Sequence, residues 1–256
     1  MTTYNTLGLS RACALALMLG LSLLAGCASN PETNDAEVDA QVFDDKFEKL
    51  NRGVFVFNDK LDSWFLKPVA KGYKAVAPEP VELGVSNFFS NLGEIKNVVN
   101  DVFQWKWKQA GVDSGRFLLN STVGLAGLID VAAKTGLEKS DGEDFGQTLA
   151  VWGVPQGPYL VLPFLGPSSV RDTVALPPDW YLNPVAYLNP EEDRYWVSAA
   201  NIVQVRAGLL DLEEMASGDR YTFIRDAWLQ RREYLINDGE VEDEFGGEYD
   251  EYSDDF

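Results

Sequence analysis

Residues 144–172 read DFGQTLAVWGVPQGPYLVLPFLGPSSVRD, and between Asp144 and Arg171 the stretch carries no charged side chain. An uncharged run of this length suggests a membrane span. The residues forbid one. Pro155, Pro158, Pro163 and Pro167 each lack a backbone N–H, and Gly146, Gly153, Gly157 and Gly166 loosen whatever helix remains. A broken apolar segment leaves backbone polar groups unpaired, which lipid tolerates only where protein or a wet cavity supplies partners. The expectation is two short apolar arms folded back at 155–158. A buried proline-rich loop in a soluble core would read the same way from this stretch alone.

The preceding apolar segment, Phe117 to Ile129, is uncharged and bounded by Arg116 and Asp130. As a helix it would be ~20 Å long against a hydrocarbon core of ~30 Å, so it can enter one leaflet but cannot cross two. Gly124, Ala126 and Gly127 leave room for close packing of another backbone. The central helix of a soluble bundle would look similar, but two apolar segments without a span favour partial embedding. Further upstream, Phe47, Leu50, Val54, Phe57, Leu61 and Trp64 keep helical spacing on one face up to Pro68, with Phe55, Val56, Phe65 and Leu66 off that stripe. Such a helix is either sandwiched in a core or has lipid on its second face. A second run opens at Pro78 and Pro80 with Val81, Val85, Phe88, Phe89 and Leu92, and a third leads through Val98, Val99, Val102 and Phe103 to Trp105-Lys106-Trp107-Lys108. Tryptophan alternating with lysine suits a membrane–water boundary, where indoles sit at headgroup level and lysine stems snorkel outward. A frayed helix end beside a core Trp is the other reading. Beyond Arg171 the prolines at 177, 178, 184 and 190 predict irregular chain, followed by amphipathic helices over about 195–215 and 220–237.

Composition removes whole classes of function. The net charge is −19, so a basic surface for nucleic acid or polybasic adhesion to anionic lipid is not available. Histidine is absent, and the two cysteines are Cys13 and Cys27. Ser-His-Asp and Cys-His catalysis and the common zinc sites are thereby excluded, and no cofactor or metal is implied. Asp144-Phe145-Gly146 lacks the rest of a kinase signature, and Ser168-Ser169 does not lie in a G-x-S-x-G elbow.

Both ends are specialised. Residues 1–26 have the build of a secretory leader, with Arg11 closing the basic part and an apolar run from Ala12 to Ala25. Leu24-Ala25-Gly26-Cys27 resembles the lipobox of bacterial lipoproteins, which makes Cys27 the expected lipid-anchored first residue; by resemblance to lipoprotein sorting, Ala28 favours the outer membrane. Two or three acyl chains would anchor it durably, at ~0.8 kcal/mol per buried CH₂. Residues 27–44 are expected to be a flexible tether, 45–237 the body, and 238–256, rich in Asp and Glu with no basic residue, a disordered acidic tail.

The body carries an ordered series: Asp45-x-Phe47-Glu48-x-Leu50-Asn51-Arg52, Lys67-Pro68-Val69-Ala70, Pro78-x-Pro80, Gly84-x-Ser86-Asn87-Phe88, Arg116-Phe117-x-x-Asn120-Ser121-x-x-Gly124, Asp144-Phe145-Gly146-Gln147-Thr148-Leu149, Gly157-Pro158-Tyr159 and Leu162-Pro163-Phe164 through Arg171-Asp172. It resembles the MlaA (VacJ) family of outer-membrane lipoproteins over about residues 45–237. Lys46 stands where the family commonly has Pro, and Leu50 where it commonly has Phe. The resemblance implies an all-α fold, a ring-like bundle of amphipathic helices embedded in one membrane leaflet with a central polar passage. It implies a conduit and not an enzyme, held against a trimeric outer-membrane porin. Such a conduit passes phospholipid that has strayed into the outer leaflet to a soluble periplasmic lipid carrier.

Polar side chains among apolar segments need a wet or paired environment, which makes Asn51, Arg52, Asn58, Arg116, Asn120, Gln147 and Arg171 candidates for lining the lipid path or its gate, with Phe57 beside Asn58 on a gating first helix. Each could equally be a helix cap or an internal pair that holds the fold. Two other classes remain open from sequence: a structural porin-associated adaptor without transport activity, and a lipid esterase working through Ser168 or Ser169.

Overall fold

The helix that starts the body, α1 (Glu48–Leu61), begins at Phe47 and carries its acidic residue, Glu48, in the first turn and its basic one, Lys60, in the last, both matched to the helix dipole. The computed structural model describes residues 45–213 and 218–240; the leader, Cys27, the tether and the run beyond Glu240 lie outside the described residues. Pro68 does not stop the first helix. The chain widens into a π-helical turn (Asp62–Leu66) and continues as α2 (Lys67–Val76) with Pro68 in its opening turn, where a missing N–H and a bulky ring cost least.

Pro78 and Pro80 launch the longest helix, α3 (Glu79–Phe103), with Glu79 and Glu82 in its first turn. Helix α4 (Trp107–Thr122) packs along it. The segment 117–129 is not one helix. After Thr122 the chain folds back, Leu125, Ala126 and Gly127 take positive φ, and the Gly127 N–H bonds to Asn120 O at 2.8 Å. A Cβ on Gly124 would sit 2.2 Å from Ile129 O, so the reversal is closed to larger residues.

The two arms of 144–172 are of different kinds. The first is helix α5 (Phe145–Val151); the second is a hairpin of β1 (Tyr159–Leu162) and β2 (Gly166–Ser169), paired Tyr159 to Ser169 and Leu162 to Gly166. The fold-back expected at 155–158 falls at 163–165, with Phe164 at φ 66° in the turn. Helix α6 (Val170–Leu182) follows, so the stretch after Arg171 is helical and Pro177 and Pro178 lie inside it. Helices α7 (Glu191–Gly208), α8 (Leu210–Glu213) and α9 (Arg220–Ile236) complete the described chain. The fold is all-α apart from the hairpin.

Side chains are distributed the opposite way from a soluble domain. Most of the buried hydrophobics are small, and the large ones form one cluster: Tyr159, Val161 and Tyr221, with Val54, Phe55, Trp228 and Leu229 packed on it. Arg116, Glu94, Asn100, Asp101, Asp113 and Gln147 are all at least 98 % buried. On the outside, Trp64 is 80 %, Val76 83 % and Phe164 72 % exposed. Most of the α1 stripe follows suit: Phe47, Leu50, Phe57, Leu61 and Trp64 face outward, while Asn51 on the opposite side is buried. Large exposed apolar area of this kind marks contact with lipid or another protein. No helix among the described residues is long and apolar enough to cross a membrane.

Single cysteines placed at Leu83, Leu118 and Phe164, all exposed apolar positions, should resist a membrane-impermeant maleimide in native membranes and react once detergent dissolves the bilayer. Full reactivity in intact membranes would show that these residues face water.

Candidate functional site

Along α3, Asn91, Glu94, Asn97, Asn100 and Asp101, with Gln104 at its end, recur at spacings of three and four, which puts them on one face. Over 13 residues that stripe is ~20 Å long. It meets Asp113, Arg116 and Asn120 of α4, also three and four apart. In a sheltered interior every one of these groups needs a partner.

Arg116 is the most heavily bonded of them. Its Nε donates to Glu94 Oε1 at 3.0 Å, Nη1 to Leu137 O at 2.6 Å and Nη2 to Asp130 Oδ2 at 3.0 Å. Asn120 extends the network, donating to Asp130 Oδ1 at 3.0 Å and accepting from the Ala132 N–H at 2.9 Å. Burial pushes the Glu94 carboxyl up, while Arg116 and Asn120 overcome the weaker burial of Asp130 and hold it below the usual carboxylate range.

A second group continues the stripe. Thr148 donates to Asn100 Oδ1 at 2.8 Å, Gln104 donates to Glu143 Oε2 at 2.7 Å, and the Glu143 N–H donates to Asn97 Oδ1 at 3.0 Å. Asp101 and Asp113 are both fully buried; Asp113 accepts from Gln109 at 2.7 Å and Ser140 at 3.0 Å. Burial, followed by the charges of Asp113 and Glu143, pushes the Asp101 carboxyl up to about 8, so it is protonated at neutral pH.

The third group explains the DFG tripeptide. Asp144 caps α5 by accepting from the Gln147 N–H at 2.9 Å, and its other bonds go to Arg232 of α9, whose Nη2 also reaches Asp172 at 2.8 Å. A Cβ on Gly146 would lie 2.3 Å from Asp172 and 2.4 Å from Arg232, so only glycine lets the guanidinium in. Burial alone would raise the Asp144 carboxyl; Arg232 outweighs it and holds it at about 2.

The remaining residues singled out in sequence fall into two places. Asn51 and Asn58, two turns apart on α1, hold the free edge of the hairpin. Asn51 donates to Tyr159 O at 3.0 Å and accepts from Val161 N–H at 2.9 Å; Asn58 donates to Leu162 O at 2.9 Å and accepts from Phe164 N–H at 2.8 Å. Phe57 meets Phe164 edge-on at 5.3 Å. Arg52 is half-exposed, bridging Glu48 and Asp219 and lying 4.4 Å over the Tyr221 ring. Gln147 and Arg171 are buried near the third group. Arg171 bonds to Asp172 at 3.1 Å with its Nη2 unpartnered, and Gln147 donates to Gly142 O at 3.0 Å with its Oε1 unpartnered. Arg116 and Asn120 are thus brought together around Asp130, while the α1 residues gather at the hairpin. Sequence reading passed over the α3 stripe and Arg232. The three-and-four spacing of the stripe was visible, but it was read from its apolar side.

At the α3–α4 turn, Trp105 takes φ 64° and both Trp105 and Trp107 are exposed, but Lys106 does not snorkel outward; it pairs with Glu143 at 3.0 Å and with Asp238. Beside them opens a cavity of about 620 Å³ lined in part by Lys108, Lys139, Gln147 and Tyr234.

Comparison with known proteins places these features in a group. Residues 43–235 match the family model described as MlaA lipoprotein. The intermembrane phospholipid transport system lipoprotein MlaA of Escherichia coli is 36% identical over 232 residues, 88% of this chain and 89% of that protein. The protein of the same name from Haemophilus influenzae is 30% identical over 240 residues, 89% of this chain and 91% of its own. A solved structure from work on the structural basis for maintenance of bacterial outer membrane lipid asymmetry superimposes with a TM-score of 0.65 at 33% identity, covering 75% of this chain and 98% of that one.

Replacing Arg116 by Gln should leave Glu94 and Asp130 without their cation and lower unfolding stability by about 3–5 kcal/mol in detergent denaturation, whereas a change below ~1 kcal/mol would show the ion pairs to be incidental. Asp101 tests the protonation argument. Its folded value lies above that of the unfolded chain, so its contribution favours the fold below about pH 4 and is lost as pH rises toward 8. Asp101→Asn should therefore gain thermal stability on the parent protein as pH is raised across that window; parallel curves would refute a neutral Asp101.

Proposed function

Because the chain belongs to the MlaA lipoprotein family, we propose that it is the outer-membrane lipoprotein of an intermembrane phospholipid transport system. It removes mislocalised phospholipid from the outer leaflet and passes it to a soluble periplasmic carrier, so preserving the lipid asymmetry of that membrane. The observation that carries this reading is the inversion of the fold, with a buried polar stripe and an apolar exterior. A headgroup cannot cross hydrocarbon without polar partners, and acyl tails have no use for a polar wall. A body oily outside and hydrogen-bonding inside meets both demands.

The body lies in one leaflet, held by lipid on Cys27, with its polar passage along the α3–α4 stripe and a trimeric porin against part of the apolar exterior. Lack of a spanning helix supports that depth. The junction of α1 and the hairpin serves as the gate. Asn51 and Asn58 act there as two latches, and Phe57 and Phe164 form the apolar contact between them and the outside. Such a conduit performs no covalent chemistry. Ser168 and Ser169, the serines that an esterase would need, are engaged otherwise: Ser168 with Thr173 at 3.0 Å, and Ser169 as the cap of α6, accepting from Asp172 N–H at 3.1 Å. Direction comes from the lipid populations and the carrier, since a passive passage can only let them run downhill.

Cells lacking the protein should expose more phosphatidylethanolamine to a membrane-impermeant amine reagent, and the intact lipoprotein should restore the parental level. Purified protein in vesicles should also speed delivery of labelled lipid to a soluble carrier. Restored asymmetry without any faster delivery would instead mark an adaptor that merely brackets porins.

A further inference from the structure

The cavity beside the α3–α4 turn combines features that the polar stripe does not. Gln147 is 99 % buried, its Nε2 is tied to Gly142 O, and its Oε1, on the cavity-lining side chain, has no partner. A buried acceptor without a donor costs roughly 1–3 kcal/mol, a cost a donor-bearing ligand would remove. Lys108 and Lys139 are exposed on the rim and form no ion pair with a described residue. The carboxylates of the wall are already engaged, Glu143 and Asp238 by Lys106 and Asp141 by Arg231 at 2.8 Å. The lining therefore carries three lysines against three carboxylates, and is balanced overall. A purely anionic group would meet those carboxylates with no charge to offer them. A group bearing both signs would not.

The geometry points to a binding site for a phosphodiester that carries a primary ammonium, the head of a zwitterionic phospholipid, in the cavity lined by Trp105, Lys108, Lys139, Glu143 and Gln147. It rests on the lipid-transport reading above and adds a headgroup preference to it. Lys108 and Lys139 take the phosphate oxygens. Gln147 Oε1 accepts from the ammonium, while Glu143 and Asp238 supply the negative potential around it. The indoles of Trp105 and Trp107, packed edge-to-face at 5.8 Å, stand at the mouth where the glycerol and tails leave the polar space. A left-handed backbone at a residue as large as Trp105 is costly, and such conformations collect at ligand clamps. The volume of about 620 Å³ falls within the range of roughly 300–1,000 Å³ of small-molecule sites.

The intact lipoprotein in nonionic detergent, titrated with short-chain phosphatidylethanolamine and followed by phosphorus NMR, should bind it about tenfold more tightly than phosphatidylglycerol of the same chains, the size of one charge-assisted hydrogen bond. Lys108→Gln with Lys139→Gln, both on the rim, should weaken phosphatidylethanolamine by about tenfold or more with the circular dichroism unchanged. Gln147→Met should narrow the preference between the two lipids. Equal affinity for the two lipids, or a double variant that binds as the parent does, overturns the site. Glycerophosphoethanolamine separates the two sources of this chemistry: weak competition supports the lipid, and competition as strong as the lipid's own assigns the cavity to soluble esters and overturns the lipid claim. A double variant that delivers both lipids to a carrier in the parental ratio overturns the headgroup site and leaves transport standing. Selective binding with no delivery supports the site and removes the transport reading instead.

Discussion

A polar group shut away from water must find its partner inside the protein, and in this chain Arg116 shows that constraint at its most severe. Its guanidinium is almost wholly enclosed, and three acceptors on three different segments converge on it: Glu94 of α3, the Leu137 carbonyl and Asp130. The charge would be ruinous there without them. With them, it fixes α3 against α4 and pins the loop that follows. Oil-in cores tolerate sliding between similar side chains; a fork of directed hydrogen bonds does not. The polar interior therefore does the positioning that apolar packing does in an ordinary domain, and it frees the large apolar residues to face outward.

The hairpin obeys the same rule by different means. Two short strands alone are marginal, and β1 has one edge with no strand beside it. Asn51 and Asn58 stand in for the missing strand, each amide offering a donor and an acceptor to the backbone as a neighbouring strand would. The device depends on their seven-residue separation, which brings both to the same face of α1.

Much of this was legible in the sequence, and the limits are instructive. The helical elements followed from apolar spacing, and the failure of 144–172 to cross a bilayer followed from its prolines. What spacing could not decide was which face turned inward, because an amphipathic helix is the same object whether its oily side meets a core or a membrane. That is why Phe47, Leu50 and Trp64 were as readable as core residues as they were as lipid-facing ones, and why the Asn91-to-Gln104 stripe went unremarked. Proline misled where its neighbours absorbed it, at Pro68 behind a widened turn and at Pro177 and Pro178 inside α6. The partnership of Asp144 and Asp172 with Arg232 left no local trace, since it is made across most of the body; only the glycine at 146 hinted at a close neighbour.

That long-range partnership has a consequence for how the molecule comes into being. Arg232 lies 88 residues beyond Asp144 and 60 beyond Asp172. A chain emerging from its N-terminus presents both carboxylates well before their cation exists, and two like charges beside an unfilled gap keep the early segments hydrated and loosely arranged. The last helix therefore acts as a keystone in time as well as in space: until it arrives, the growing polypeptide is held back from premature closure.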